Sequence, residues 1–353
     1  MASALLIARE RYALPILQPL AEALAAAGHE VFAWFDGPLA QAGESMPAPA
    51  KMLDLRAAVA LNPAAVFCAM DWVPPFFGGV KVQLFHGFDT NKHSDKRGHF
   101  RIRGLFDLYC TQGPATTIPF EKLAREQGHF AVVETGWPKL DPLFRDDGGA
   151  SEALRSRAQG KSVVMFASTF TERVSAAPHL HDAIKREIAR GDFYWLLTLH
   201  PKCPPELFQR YRALAGESAY FIEPEQIVTA QRAADVLLSD TTSVVPEFVV
   251  QDKPVVTFRH RVPKSYMLDF DDPDRLPRML EQAFSPTAEL RAAIFAYAND
   301  IHPYRDGRSS ERVIAAAEDL VSGKLGPLRP KPLIAKVRDL QIRKRLHYWG
   351  PRG

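Results

Sequence analysis

Residues 4–35 read ALLIARERYALPILQPLAEALAAAGHEVFAWF, and their periodicity decides the fold. Residues 4–8 form an unbroken apolar run of the kind that makes a strand buried on both faces. Arg9, Glu10 and Arg11 interrupt it long before the ~20 apolar residues of a membrane span, or the core of a signal peptide, are reached. Ile16, Leu17, Leu20, Leu24 and Ala27 then recur at helical spacing, Gly28-His29 stops that helix, and residues 31–35 are apolar throughout. Strand, helix and second buried strand in this order predict a parallel crossover unit. Apolar runs at 65–70 and 80–85 extend the pattern, so the first part of the chain is predicted to be a parallel sheet with crossover helices.

Working outward, residues 145–151 read RDDGGAS, with turn formers and no apolar periodicity, which predicts a linker. The pattern then restarts, with strands expected at 162–167, 194–199, 236–238 and 255–258 and a helix at 179–190. The expectation is therefore an α/β protein of two successive open α/β domains. They are assigned to residues 1–147 and 152–318, followed by a basic tail at 319–353.

The composition fits this reading. A chain of 353 residues accommodates two cores of ordinary size. Hydrophobic residues at 46% and charged residues at 24% exclude wholesale disorder. A net charge of +3 lacks the basic excess of a general nucleic-acid binder, so no nucleic-acid partner is expected. Cys68, Cys110 and Cys203 are odd in number and far apart, which argues against a disulfide framework or a cysteine zinc site and suits a reducing, cytoplasmic compartment.

In open α/β sheets ligands bind beyond the carboxyl ends of the strands, so residues there carry the chemistry. In Gln83-Leu84-Phe85-His86-Gly87 a histidine stands at such an end before a glycine that permits a tight turn. His86 reads either as a general base for an acceptor hydroxyl or as a loop histidine satisfying backbone groups. Leu197-Thr198-Leu199-His200-Pro201-Lys202 repeats the arrangement with a cation two residues on, suited to a diphosphate, or else to a solvated loop. Ala234-Asp235-Val236-Leu237-Leu238-Ser239-Asp240-Thr241-Thr242-Ser243 runs from a strand into hydroxyl residues ahead of a helical stretch at 244–250. Hydroxyls and amides there form an anion site or a plain helix cap, and Glu247, one turn on, is placed to accept from ribose hydroxyls. Neither a dinucleotide fingerprint nor a P-loop is present. The run Asp269-Phe270-Asp271-Asp272-Pro273-Asp274 reads as a solvated loop in preference to a divalent-ion site, so no metal and no cofactor is expected.

Taken in order, Phe85-His86-Gly87-Phe88, Gly136-Trp137-Pro138-Lys139-Leu140-Asp141, His200-Pro201, Asp240-Thr241-Thr242-Ser243 with Lys253-Pro254, and Asp306-Gly307-Arg308-Ser309-Ser310-Glu311-Arg312 form a set. Across roughly residues 80–315 this set resembles the CDP-glycerol glycerophosphotransferase family of teichoic acid and capsule polymer biosynthesis. The family's Trp and Thr around the first histidine are Phe85 and Phe88 here, and the Tyr after its aspartate is Thr241. The resemblance implies a GT-B fold, two Rossmann-like domains facing across a cleft. It also implies metal-independent transfer, with His86 as base and His200, Thr242, Ser243 and Arg308 near the donor phosphates. Lys202, Asp240, Thr241 and Glu247 are assigned with them to the donor, and His200 is counted with His86 as catalytic.

The expected activity is transfer of a polyol phosphate from a CDP-polyol, or another nucleotide-activated donor, to a hydroxyl of a lipid-linked or polysaccharide acceptor. Its rivals are a GT-B glycosyltransferase using a nucleotide sugar, a non-catalytic binder of anionic polymer, and a nucleotide-sugar 2-epimerase. The tail sets Arg329, Lys331, Lys336, Arg338, Arg343, Lys344 and Arg345 against the single acid Asp339. Apolar residues are interspersed with them, which suits either an anionic membrane surface or packing on the first domain.

Overall fold

The computed structural model describes residues 3–88, 100–351 and 353. The chain divides into two compact units, residues 1–141 with 301–353, and residues 142–300. The first is built on seven strands: β1 (Ser3–Ala8), β2 (Glu30–Phe35), β3 (Lys51–Met52), β4 (Ala65–Cys68), β5 (Val80–Gln83), β6 (Leu108–Thr111) and β7 (Ala131–Glu134). Their order is β3-β2-β1-β4-β5-β6-β7, and every ladder is parallel. The chain starts in the middle, winds one way to β3 and returns past β1 to β4, so the β1/β4 boundary is the point where strand order reverses. That is where open sheets of this kind leave a ligand crevice.

Sequence explains the elements. Residues 4–8 of β1 and all of β4 and β6 are buried, as strands covered by helices on both faces must be. The helix Leu14–Ala26 buries Ile16, Leu17, Leu20 and Leu24, and it ends at Gly28, whose φ of 82° is the left-handed value a glycine adopts without strain. The amides of Gly28 and His29 donate back to the carbonyls of Ala25 and Leu24, which closes the helix end.

The second unit holds β8 (Val163–Ser168), β9 (Tyr194–Leu199), β10 (Ala219–Phe221), β11 (Val236–Ser239), β12 (Val255–Phe258) and β13 (Met267–Phe270). They form a parallel sheet of order β10-β9-β8-β11-β12-β13, reversing between β8 and β11. Two apolar clusters cover its faces, one around Phe166, Trp195 and Tyr211, the other around Leu196, Phe248 and Ile294.

The sequence-based boundaries need correction. The first unit ends at Asp141, six residues before the expected 147, and residues 301–318, expected with the second domain, belong to the first. The reason is a buried carboxylate. Asp141 accepts the amides of Ser309 (2.8 Å) and Ser310 (2.8 Å) and the Ser310 hydroxyl (2.6 Å), capping the helix Ser309–Val321 from a distant turn. That helix buries Val313, Ile314, Ala316 and Ala317 in the first unit. The second and the last motifs of the sequence set are thus each other's partners.

The tail also returns to the first unit. In the helix Leu333–Leu346, Ile342 joins the core cluster containing Phe76 and Phe106. Lys331 donates to the Leu105 carbonyl at 2.7 Å and pairs with Asp107 at 2.8 Å. Among the described residues no helix is long and apolar enough to cross a membrane.

Candidate active site

In the first unit, the residues that follow β1, β4 and β5 meet at the reversal point. Phe85 has a φ of 59°, a left-handed conformation uncommon for a bulky residue, and its ring is held against Phe120 and Tyr109. This turns the chain at the end of β5 and leaves His86 exposed. The His86 Nδ1 lies 3.1 Å from the Ala69 carbonyl, which can only accept, so Nδ1 carries the proton and Nε2 the lone pair. Tyr12 stacks obliquely on the imidazole with ring centroids 5.2 Å apart. Burial and the nearby Cys68, Asp71 and Glu10 push the Tyr12 hydroxyl up to about 12, which keeps it a neutral donor. A cavity of about 280 Å³ opens here, lined by Arg9, Glu10, Tyr12, Met70, Asp71, Trp72 and His86.

In the second unit, four neighbouring strands deliver polar residues to one edge. After β9, the His200 Nδ1 accepts the Lys202 amide at 3.1 Å, so its proton resides on Nε2. Burial and the Lys202 charge lower the affinity of His200 for a second proton, so the ring is a neutral donor. Phe170, in the segment after β8, packs on His200 with centroids 4.5 Å apart, and the Lys202 ammonium lies 5.5 Å from the Phe170 ring centre.

After β11, Thr241, Thr242 and Ser243 precede the short helix Val244–Val249. The Ser243 hydroxyl does not cap that helix, and the Thr241 hydroxyl accepts the Arg261 amide at 3.0 Å. Glu247 is on the buried face of the same helix.

One expected donor contact, Asp240, is placed differently, and another, Arg308, lies in the first unit. Asp240 is fully buried. Its carboxylate receives the Ser168 hydroxyl at 2.5 Å and the amides of Thr169 (3.1 Å) and Ala176 (2.9 Å), so it ties the segment after β8 to the end of β11 and leaves no face for a ligand. Burial raises its carboxyl pKa, against the pull of those donors. Arg308 is exposed on the turn before the helix Ser309–Val321 and belongs to the first unit, so it does not share a unit with His200 and Ser243. Lys253, from the Lys-Pro element, sits at the opposite, amino end of β12, donating to the Gln231 and Arg232 carbonyls. The acidic run, read as a loop, begins instead within β13, which holds Asp269 and Phe270, and its later aspartates follow that strand. Asp269 accepts from Thr257, Asp272 caps a turn and Asp274 pairs with Arg186.

Sequence reasoning missed Arg259-His260-Arg261, which follow β12 beside Thr241. The signal was present, since three basic residues stand directly after the apolar run 255–258. It also missed Tyr12, Asp71 and Trp72, which acquire meaning only once β1, β4 and β5 are known to be neighbours.

Comparison with known proteins places the sequence in a family. The family model for CDP-Glycerol:Poly(glycerophosphate) glycerophosphotransferase matches residues 78–266, more than half of the chain. The teichoic acid ribitol-phosphate polymerase TarL of Staphylococcus aureus (strain NCTC 8325 / PS 47) is 25% identical over 224 residues, covering 56% of this chain and 39% of that protein. The teichoic acid poly(ribitol-phosphate) polymerase of Bacillus spizizenii (strain ATCC 23059 / NRRL B-14472 / W23) is 24% identical over 206 residues, covering 52% and 33% respectively. The chain thus spans two fifths or less of the length of these two curated relatives. Among solved structures, the wall teichoic acid polymerase TagF superposes with a TM-score of 0.65 at 14% identity, covering 92% of this chain and 90% of that one. The S. aureus MnaA–UDP co-structure superposes at 0.58 with 16% identity, covering 94% and 100%. At these identities the superpositions establish the fold, two Rossmann-like domains, and the sequence match supplies the rest: the chain belongs to the CDP-glycerol:poly(glycerophosphate) glycerophosphotransferase family.

Proposed function

We propose that the chain transfers a polyol phosphate from a CDP-linked donor to a hydroxyl of a lipid-linked or polysaccharide acceptor in cell-envelope polymer synthesis. The observation that carries this reading is the pair of opposite tautomers at His86 and His200. The first presents a lone pair at Nε2, as a base needs, and the second a proton at Nε2, as a phosphate oxygen needs. The acceptor oxygen gives its proton to His86 Nε2 as it attacks the β-phosphorus. The bond from that phosphorus to the bridging oxygen breaks, and CMP leaves with the electron pair. His200, Lys202, Thr242, Ser243 and the basic residues after β12 hold the donor phosphates, and Glu247 the ribose. Catalysis by such a site is positioning and charge stabilisation.

The relatives' names, ribitol-phosphate polymerases, and a TagF variant structure obtained after soaking with CDPG support a CDP-linked donor. Incubating the chain with CDP-polyols and nucleotide sugars and identifying the nucleotide released tests the reading. CMP is expected from CDP-polyols, whereas release of a nucleoside diphosphate from a sugar donor sinks it.

The reading extends to where the acceptor is met. On the helix Leu333–Leu346 the side opposite Ile342 leaves Leu333, Ile334, Val337 and Leu340 exposed among Lys336 and Lys344. Cations near an anionic bilayer contribute about 1 kcal/mol each, so this ridge suits reversible attachment to such a surface. Co-sedimentation with anionic but not neutral vesicles at low salt is the expected result.

A further inference from the structure

Resting on the transferase reading, we infer that Arg345, on the C-terminal helix, is a positioning residue that braces the turn after β4, whose carbonyl sets the tautomer of His86. The turn comes first. Ala69 follows β4 directly, and its carbonyl lies 3.1 Å from His86 Nδ1, so the lone pair stays at Nε2 as long as that carbonyl stays in place. On the inside, residues 69–72 fold over the buried Cys68 thiol. The Met70 amide donates to Sγ at 3.4 Å, and the thiol donates to the Trp72 carbonyl at 3.3 Å. Burial pushes the Cys68 thiol up to about 12, so it remains a donor. Sulfur is a weak donor and a weak acceptor, so these bonds alone hold the turn loosely.

The outside comes second. Asp71 is exposed and Trp72 half-buried, and each is held by an arginine. The Arg345 guanidinium lies 3.7 Å from the centre of the Trp72 ring and 3.6 Å from the carboxylate of Asp36, which follows β2 and also pairs with Arg9 at 2.8 Å. A guanidinium stacked on an indole and paired with a carboxylate is fixed in both position and tilt. Arg103 pairs with Asp71 at 3.0 Å, and the Arg103 carbonyl accepts from Arg338. Arg338 stands about two turns before Arg345, on the same face of the helix. That face therefore reaches the turn twice, directly through Trp72 and indirectly through Arg103 and Asp71.

The helix has anchors of its own. Ile342 lies in the first unit's core cluster, and Lys331, ahead of the helix, pairs with Asp107 at 2.8 Å. Loss of the Arg345 contacts thus frees the turn without releasing the helix.

The test reads the imidazole directly. The full chain is isotope-labelled at the histidine ring nitrogens, and the His86 signals, assigned by their loss in His86→Gln, show which nitrogen carries the proton. No substrate is present, and the buffer is held at about pH 8.5, above the ordinary histidine range. Wild type should show the proton on Nδ1. Arg345→Met keeps the aliphatic bulk and removes the charge, which disturbs the fold least, and its His86 signals should move toward a mixture of both tautomers. In steady-state CMP release the same variant should lose about ten- to a hundredfold in kcat, no more than loss of the base itself, with the donor KM within about twofold. Arg345→Lys keeps a cation near the indole and Asp36 without the planar fork, so both readings should fall between wild type and Arg345→Met. Arg103→Met acts on the same turn through Asp71 and should move the His86 signals in the same direction.

His86 signals identical to wild type in both methionine variants overturn the inference. A fall in kcat with those signals unchanged overturns it too, because Arg345 would then act elsewhere. So do mixed tautomers with an undiminished kcat, since the brace would position nothing that the reaction needs. The two claims separate cleanly. If the tautomer responds as expected and wild type releases CMP from no CDP-polyol, the transferase reading fails and the brace on His86 stands. If wild type releases CMP through His86 and neither methionine variant disturbs the ring, the brace fails and the transferase reading stands.

Discussion

Replacing Asp240 by asparagine separates a ligand contact from a structural tie. The carboxylate is buried and meets three donors: Ser168 Oγ at 2.5 Å, the Ala176 amide at 2.9 Å and the Thr169 amide at 3.1 Å. An asparagine keeps the oxygen that accepts all three, now uncharged, and its amide nitrogen stands where the other oxygen shared the Thr169 amide at 3.2 Å. The acceptor loses its charge and two donors face each other, a cost of about 2–3 kcal/mol. For a unit of this size that lowers Tm by roughly 4–12 °C. The segment after β8 also carries Phe170, which packs on His200, so loosening it should raise the donor KM by about tenfold or less and change kcat little. Thermal unfolding followed by circular dichroism, with steady-state CMP release on the same samples, gives both numbers. A variant that keeps the wild-type Tm and loses all donor affinity would refute the argument, because only a direct ligand contact behaves in that way.

Three further outcomes follow from the same interactions. Asp141→Ala leaves the buried Ser309 and Ser310 amides without their acceptor and should destabilise the first unit by about 3–5 kcal/mol, read from urea unfolding; a cost under about 1 kcal/mol would show that the helix Ser309–Val321 is held otherwise. Burial and Arg305 lower the His302 pKa from 6.5 to about 3, while its Nε2 accepts the Trp137 amide at 3.0 Å. The unfolded chain therefore takes up this proton first. The stability is complete above about pH 6.5 and falls by up to about 1.4 kcal/mol per pH unit below it, so the gap between wild type and His302→Gln should narrow by about 2 kcal/mol at pH 5; a gap independent of pH contradicts this. Deleting residues 329–353 uncovers the cluster that Ile342 completes and removes the Lys331 and Arg345 contacts, so the truncated chain should lose cooperative unfolding of the first unit; an unchanged unfolding curve would show the tail to be dispensable.

The sheets were legible because buried parallel strands leave unbroken apolar runs, and β1, β2, β8 and β9 read directly from them. The placing of two histidines at strand ends was legible too, since His86 and His200 stand immediately after such runs. What could not be read was partnership across the chain. That Asp141 would cap a helix starting at Ser309 is a contact over 168 residues with no local trace, and with it went the allotment of residues 301–318. Asp240 shows the same limit: an aspartate at a strand end looks alike whether it faces a ligand or three donors of its own protein. Strand order likewise had to be seen before Tyr12, Asp71 and Trp72 joined His86.

The central claim is that His86 is the base for transfer from a CDP-polyol, and its most direct test is the rate of CMP release by His86→Ala beside wild type, with donor affinity measured calorimetrically on both. A base acting only in the transition state contributes about 10²–10⁴ in rate and little to ground-state binding. The account predicts a fall of that size with the donor Kd within about twofold of wild type. A variant that releases CMP at half the wild-type rate, or that loses donor affinity in proportion to its activity, would contradict it.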